Sequence, residues 1–281
     1  MNNFELYKWR KSGLNNHQLL NVLDYQNRIG KSLSLRDIAV VSKCKQPLLV
    51  MEAYKNLDTK SLREEFNRFP SLSILDKDYP LELKNIYNPP ALLFYQGDIE
   101  LLNKPKLGVV GSRKCSEIGS KSVAKIIKEL GNHFVIVSGL ARGIDTAAHV
   151  ASLKNGGATI AVIGCGLDVA YPKENAKLQD YIGKNHLILT EYFPGEPPLK
   201  YHFPERNRII AGLSQGVIVA EAKMRSGSLI TCERAMEEGR DVFAIPGNIL
   251  DGCSDGCIHL IQEGAKCISS GFDVLMEYQL K

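Results

Sequence analysis

From residue 106 onward the chain alternates short, unbroken apolar runs with longer stretches of helical spacing, and few folds accept that pattern. The runs lie at 107–110, 134–137, 159–163, 187–189, 217–220 and 242–245, and the helical stretches at about 116–130, 144–154, 176–182, 206–213, 228–238 and 256–263. A strand that is apolar on both sides must be covered on both sides. The pattern therefore predicts an α/β fold with a mostly parallel sheet and helices on both faces. Ligands of such sheets sit outside the carboxyl ends of the strands. That edge carries Gly111-Ser112-Arg113, Ser138-Gly139-Leu140-Ala141-Arg142-Gly143, Gly164-Cys165-Gly166, the turn from Glu191 to Gly195, and the loop that begins at Glu221. Recurrent glycines with basic side chains beside them are what anion-cradling loops require.

One stretch of that edge concentrates the chemistry. Residues 200–208 read as a basic and aromatic loop with Lys200, Tyr201, His202, Phe203, Arg206 and Arg208, offset only by Glu205. A buried strand follows, and then the polar loop 221–228 with Lys223, Arg225, Ser226, Gly227 and Ser228 where the next helix begins. The first N–H groups of a helix lack partners and its dipole is positive there, so phosphates bind well at such a place. Aromatic rings among cations form a platform for single-stranded nucleic acid, with rings stacking bases and cations following the backbone.

Residues 1–69 differ in kind. Leu6, Leu14, Leu19, Val22, Leu23, Ile38, Val41, Leu48, Val50, Leu57, Leu62 and Phe66 recur at spacings of three and four, broken by turn material, with Asn15 and Ser34 as N-caps. The spacing predicts a small all-helical domain at 1–69 and a second domain at 70–281, whose entry holds the turn signals Asp78-Tyr79-Pro80 and Asn88-Pro89-Pro90 and a short strand at 91–95. The 281-residue chain has a formal charge of +4, which permits an anionic partner without requiring one. Seven scattered cysteines form no readable disulfide framework, and Cys253, Cys257 and His259 lack a second ligand pair at zinc spacing. No signal core or bilayer-length apolar run is present, so a cytoplasmic protein without membrane contact is expected.

Catalytic readings find less support. Gly108-Val-Val-Gly111-Ser-Arg113 is not the dinucleotide fingerprint, and Ser138-Gly139 stands where the ribose-binding acid belongs. No Walker A loop occurs. Ser226-Gly227-Ser228 reads first as a cap and turn, and His149 as a hydrogen-bonded helix histidine rather than a base.

Five motifs together, Gly111-Ser-Arg113, the run Ser138 to His149 (SGLARGIDTAAH), the run Phe203 to Ala211 (FPERNRIIA), the run Ala222 to Thr231 (AKMRSGSLIT) and Ala244-Ile-Pro-Gly247, closely resemble the DNA-processing protein A family. The resemblance covers about residues 70–281, and the helical N-terminus is similar to the sterile-alpha-motif-like domain of some members. It implies an extended Rossmann-like fold and binding of single-stranded DNA without sequence preference. It further implies loading of the RecA recombinase on that DNA during natural transformation, a homodimer, no enzymatic activity and no small-molecule cofactor. Arg113, Lys200 and Phe203 fall on positions such proteins use for phosphate and base contacts. The expected DNA-binding set is Gly111, Ser112, Arg113, Arg142, Lys173, Lys200, Phe203, Arg206, Asn207, Arg208, Arg225, Ser226, Gly227 and Ser228. The expected dimer or partner face is Met236, Ile258, Ile261 and Gln262, while the apolar Leu260, Val274, Leu275 and Met276 read either as sheet-covering core or as part of a partner face. The alternative is a phosphoribohydrolase of the lysine-decarboxylase-like group, whose glycine- and threonine-rich loop with a downstream glutamate resembles Gly227 to Glu233 loosely, without its double glycine.

Overall fold

Local signals set the first helices. The computed structural model describes residues 1–280 and opens with α1 (Asn3–Lys11), α2 (Asn16–Ile29), α3 (Leu35–Val41), α4 (Pro47–Lys55) and α5 (Thr59–Phe66). Asn15 and Ser34 cap α2 and α3 as expected. Each side chain accepts the backbone N–H three residues on, and Gln18 and Asp37 bond back to the cap. That reciprocal pairing satisfies donors the helix itself leaves free.

The chain continues through β1 (Ser71–Ser73), the single turn α6 (Leu81–Lys84) and β2 (Leu92–Gly97). The alternating region follows: β3 (Lys106–Gly111), α7 (Glu117–Leu130), β4 (Val135–Ser138), α8 (Ile144–Lys154), β5 (Thr159–Val162), α9 (Ala176–Asn185) and β6 (Leu187–Thr190). It closes with α10 (His202–Leu213), β7 (Gly216–Ala220), α11 (Gly227–Glu237), β8 (Asp241–Ala244), α12 (Asp255–Gln262), β9 (Lys266–Cys267) and α13 (Gly271–Glu277). Among the described residues the strands form one sheet in the order β1-β2-β6-β5-β4-β3-β7-β8-β9. β2 runs antiparallel to both of its neighbours, and all other pairings are parallel. The chain steps outward from β3 to β6, then crosses back to β7 on the other flank of β3. The crevice between β3 and β7 is thus the topological switch point, where open α/β sheets take their ligands.

Successive side chains alternate between the two faces of the sheet. Val110, Val217 and Val219 pack with Ile210, Leu229 and Leu260 of α10, α11 and α12, whereas Leu107, Val109 and Ile218 pack with Ile127, Ala148 and Val274 of α7, α8 and α13. The fold is the expected α/β sheet covered on both faces. Three features differ from the sequence reading. β1 and β9, of three and two residues, are too short to carry a period, and α13 extends the core past the last expected helix. α10 also starts at His202 rather than near residue 206, so Phe203 lies in the first turn of a helix and not in a loop.

The helical module and the sheet share an apolar cluster. Tyr7 meets Phe94 of β2 and Phe193 edge-on at centroid distances of 5.7 and 4.9 Å, and Phe66 stands 5.9 Å from Phe94. Asn16 adds a polar clasp: its amide donates to Asn88 Oδ1 and Pro89 O at 2.8 Å and accepts the Ala91 N–H at 2.8 Å. Phe94 is 1 % exposed and touches both halves. Phe94→Ala should therefore cost about 3–5 kcal/mol, as cavity-forming changes of a buried aromatic do. The urea midpoint read by far-UV circular dichroism checks this, and a loss under about 1 kcal/mol would mean the seam is loosely packed.

Candidate nucleic-acid interface

The groove is assembled at the carboxyl edge, around the switch point. β3 ends at Gly111, whose partner in β7 is Ala220. A Cβ on Gly111 would run into the Ala220 carbonyl and the Ile144 side chain, so only glycine lets the two strand ends and α8 close up. The Ser228 hydroxyl then donates to Gly111 O at 2.7 Å, tying the start of α11 to the end of β3. Asn207 of α10 donates to Gly227 O at 3.3 Å. Three segments far apart in sequence thereby share one rim.

Arg113 rises from the turn after β3 and is exposed. Its guanidinium lies over the Phe203 ring, 5.0 Å from the centroid. Phe203 is half-buried. Its ring packs against Gly164, where an added Cβ would stand 3.2 Å away, and Tyr171 stands 5.4 Å off at an interplanar angle of 34°. Across the rim, α11 begins without a side-chain cap: Ser226 makes no capping bond, and nothing lies within 4 Å of where a Gly227 Cβ would be. Its first-turn N–H groups face an open approach, with the macrodipole adding positive potential. Lys173, Lys200 and Arg225 are exposed, as is Arg142, whose ion pair with Glu174 at 2.6 Å is a solvated contact of small worth. The structure therefore gathers Gly111, Ser112, Arg113, Phe203, Asn207, Ser226, Gly227 and Ser228 around one groove.

Two expected DNA contacts are corrected. Arg206 is 3 % exposed. Its Nη1 donates to Gly139 O at 2.7 Å and also to Val162 O, and its Nε donates to Asn207 Oδ1 at 3.1 Å. It is a buried cation that holds strand ends, because helix phase turns it inward. Nearby, burial pushes the Asp145 carboxyl above its usual range, opposed by the charge of Arg206. Arg208 points to the other side of α10, where it donates to Glu191 at 2.7 Å, Asn88 O at 2.8 Å and Glu205 O at 2.9 Å. Its donors are committed to the protein.

The expected partner face is divided as well. Met236 and Gln262 are exposed and Ile258 and Ile261 half-buried, whereas Leu260, Val274 and Leu275 belong to the core. Met276 is exposed on α13, which packs on the opposite face of the sheet from α11 and α12. Sequence reasoning missed Tyr171 and Gly164 as partners of Phe203. Both lie in or next to loops at the same sheet edge, and only the packing shows that they face this ring.

His149 is not available as a base. It is fully buried, its Nδ1 lies 2.6 Å from Thr159 Oγ1, and burial, with the Arg206 charge, lowers its pKa to about 3. All seven cysteines are free thiols. Among the described residues no group of three or more His, Cys, Asp or Glu side chains is placed to hold a metal ion, and no helix is long and apolar enough to cross a membrane.

This geometry can be set beside known proteins. The DNA recombination-mediator protein A family matches residues 71–279. The chain belongs to that family. The sterile alpha motif domain of DNA processing protein A matches residues 1–62. The DNA processing protein DprA of Streptococcus pneumoniae is 65 % identical over 277 residues, covering 99 % of this chain and 98 % of that one. Its X-ray structure superposes with a TM-score of 0.97. DprA of Bacillus subtilis is 50 % identical over 209 residues, 74 % of this chain and 70 % of its own length. DNA processing protein A of Helicobacter pylori, studied for its single-stranded DNA binding mode, superposes with a TM-score of 0.68 at 31 % identity, covering 75 % of this chain and 97 % of that one.

Within this recombination-mediator scaffold Arg206 of the Phe203 helix should separate from Arg113 in experiment. Arg206→Met strands two buried carbonyls and should lower stability by about 3–5 kcal/mol. Arg113→Ala, at an exposed position, should stay within about 0.5 kcal/mol of the parent. Urea unfolding of the two variants checks the contrast.

Proposed function

We propose that this chain binds single-stranded DNA, without sequence preference, along the carboxyl edge of its sheet. The observation that carries the reading is the Arg113 guanidinium over the half-buried Phe203 ring, on the helix whose Asn207 is tied to the uncapped start of α11. The Phe203 ring, with Tyr171 beside it, offers an aromatic surface to the π-face of a base, which every base has and which an unstacked single strand leaves accessible. The cations Lys173, Lys200 and Arg225 and the α11 amides meet phosphates, which carry no sequence. The relationship to the Helicobacter pylori protein, described by its single-stranded DNA binding mode, supports the same reading. Family membership extends it: a homodimer, using Met236, Ile258, Ile261 and Gln262 as dimer or partner face, that protects incoming DNA in the cytoplasm and loads the RecA recombinase on it during natural transformation.

Charge and stacking separate in solution. If about four phosphates are neutralised, log affinity for a single strand falls with log salt at a slope near −3, from roughly −0.7 per phosphate. Arg113→Ala or Lys200→Ala should each weaken binding and make the slope shallower by about 0.7. Phe203→Ala should lose about 1–3 kcal/mol of binding and leave the slope nearly unchanged. Fluorescence anisotropy with single- and double-stranded oligonucleotides of one length reads all of this. Equal affinity for duplex and single strand, or a slope near zero, defeats the proposal.

The assembly has its own test. Light scattering at micromolar protein should give twice the monomer mass, and a strand-invasion assay with single-strand-binding protein present should be stimulated by the addition of this chain. A monomer mass removes the dimer, and an unaffected assay removes RecA loading.

A further inference from the structure

In dinucleotide folds the helix that follows the first strand offers its N-terminal amides to a nucleotide phosphate. The corresponding helix here is α7, and its N-terminus is already occupied from within the chain. Glu221, the residue directly after β7, turns its carboxylate back across the crevice. Glu221 Oε2 accepts the Ser116 backbone N–H at 2.6 Å, and Oε1 accepts the Ser116 hydroxyl. The Ser116 hydroxyl in turn accepts the Gly119 N–H at 3.0 Å, so one carboxylate and one hydroxyl occupy the first turn.

Two further features fit this placement. Glu221 has φ +47°, a left-handed backbone that a residue with a Cβ seldom adopts and that costs energy to hold. Gly119 lies inside α7, where glycine weakens a helix, and a Cβ there would collide with the Glu221 carboxylate. Backbone strain at one residue and a missing side chain at another both accommodate the carboxylate of Glu221, a residue only 9 % exposed. Its charge also reaches the neighbouring Cys115 thiol, whose pKa is raised first by burial and then by Glu221.

We propose that Glu221 is an internal phosphate mimic and a specificity-determining residue: it closes the mononucleotide position at α7 and leaves α11 as the helix start open to phosphate. The carboxylate bound to the Ser116 N–H is direct evidence that this helix start holds an anion. By contrast, Ser226 at the start of α11 makes no capping bond and its hydroxyl has no partner. A free nucleotide then meets one open helix start and one fixed negative charge. A strand meets the same start together with Arg113, Phe203 and the exposed lysines, and its contacts add along its length. The inference rests on the reading of this edge as a phosphodiester track.

The test uses the full-length, isotope-labelled chain, titrated separately with inorganic phosphate and with adenosine monophosphate. In the wild type the Ser116 and Gly119 amide resonances should stay in place under both. In Glu221→Gly, whose glycine suits the left-handed backbone, both resonances should move saturably. Phosphate affinity should rise by about tenfold or more, the effect of freeing two donors for a charged acceptor, while single-strand affinity stays within about threefold of wild type. Saturable movement in the wild type overturns the proposal without any variant. A folded Glu221→Gly protein with no gain overturns it too. Loss of single-strand binding by the wild type would instead defeat the DNA reading, and the phosphate titrations would still report on Glu221.

Discussion

A single buried guanidinium fixes the geometry of the carboxyl edge. Taking a cation out of water costs several kcal/mol unless its donors are met. Arg206 meets that demand with the carbonyls of Gly139 and Val162, at the ends of β4 and β5, and with Asn207. The bonds set the rotation of α10 about its axis. With Arg206 turned inward, Phe203, one turn earlier, lies on the side of Gly164 and Arg113, and Asn207 reaches the start of α11. The guanidinium also fills the place a Gly139 side chain would take, so this glycine makes room for the anchor. The seat of the half-buried Phe203 ring depends on a charge that never meets solvent.

Three arginines from two of the motifs thus do three different things. Arg206 is a strut, Arg208 is held by Glu191 and backbone carbonyls on the far side of the same helix, and Arg113 faces the groove. The Ser228 to Gly111 bond closes the rim between the two flanks of the sheet.

Much of this was legible from residues alone. Unbroken apolar runs predict buried parallel strands because no other arrangement covers both faces, and they recur within a residue or two of their expected positions. The capping boxes at Asn15 and Ser34 are equally local and equally readable. The roles of Arg206 and Arg208 were not, because residue type says nothing about helix phase. Pro204 was the available signal, since proline is tolerated in the first turn of a helix. With α10 begun at His202, Arg206 shares a stripe with His202, Ile209, Ile210 and Leu213, all of them buried. Leu260, Val274 and Leu275 read as core or as partner face from their apolarity, and packing decides for the core. The two-residue β9 and the antiparallel edge at β1 and β2 depend on long-range pairing that no local window contains.

The aromatic seam around Phe94 has a mechanical side. A domain on a loose tether samples many bearings, and whatever it grips is presented to its neighbour as a cloud of positions. Here Tyr7, Phe66 and Phe193 close on one ring of the sheet, and Asn16 is clasped to the backbone at Pro89 and Ala91. The helical module is therefore an outrigger bolted to the hull. A protein gripping its outer face would be held at a set angle and distance from the carboxyl edge of the sheet, and the reach between the two would be a constant of the fold.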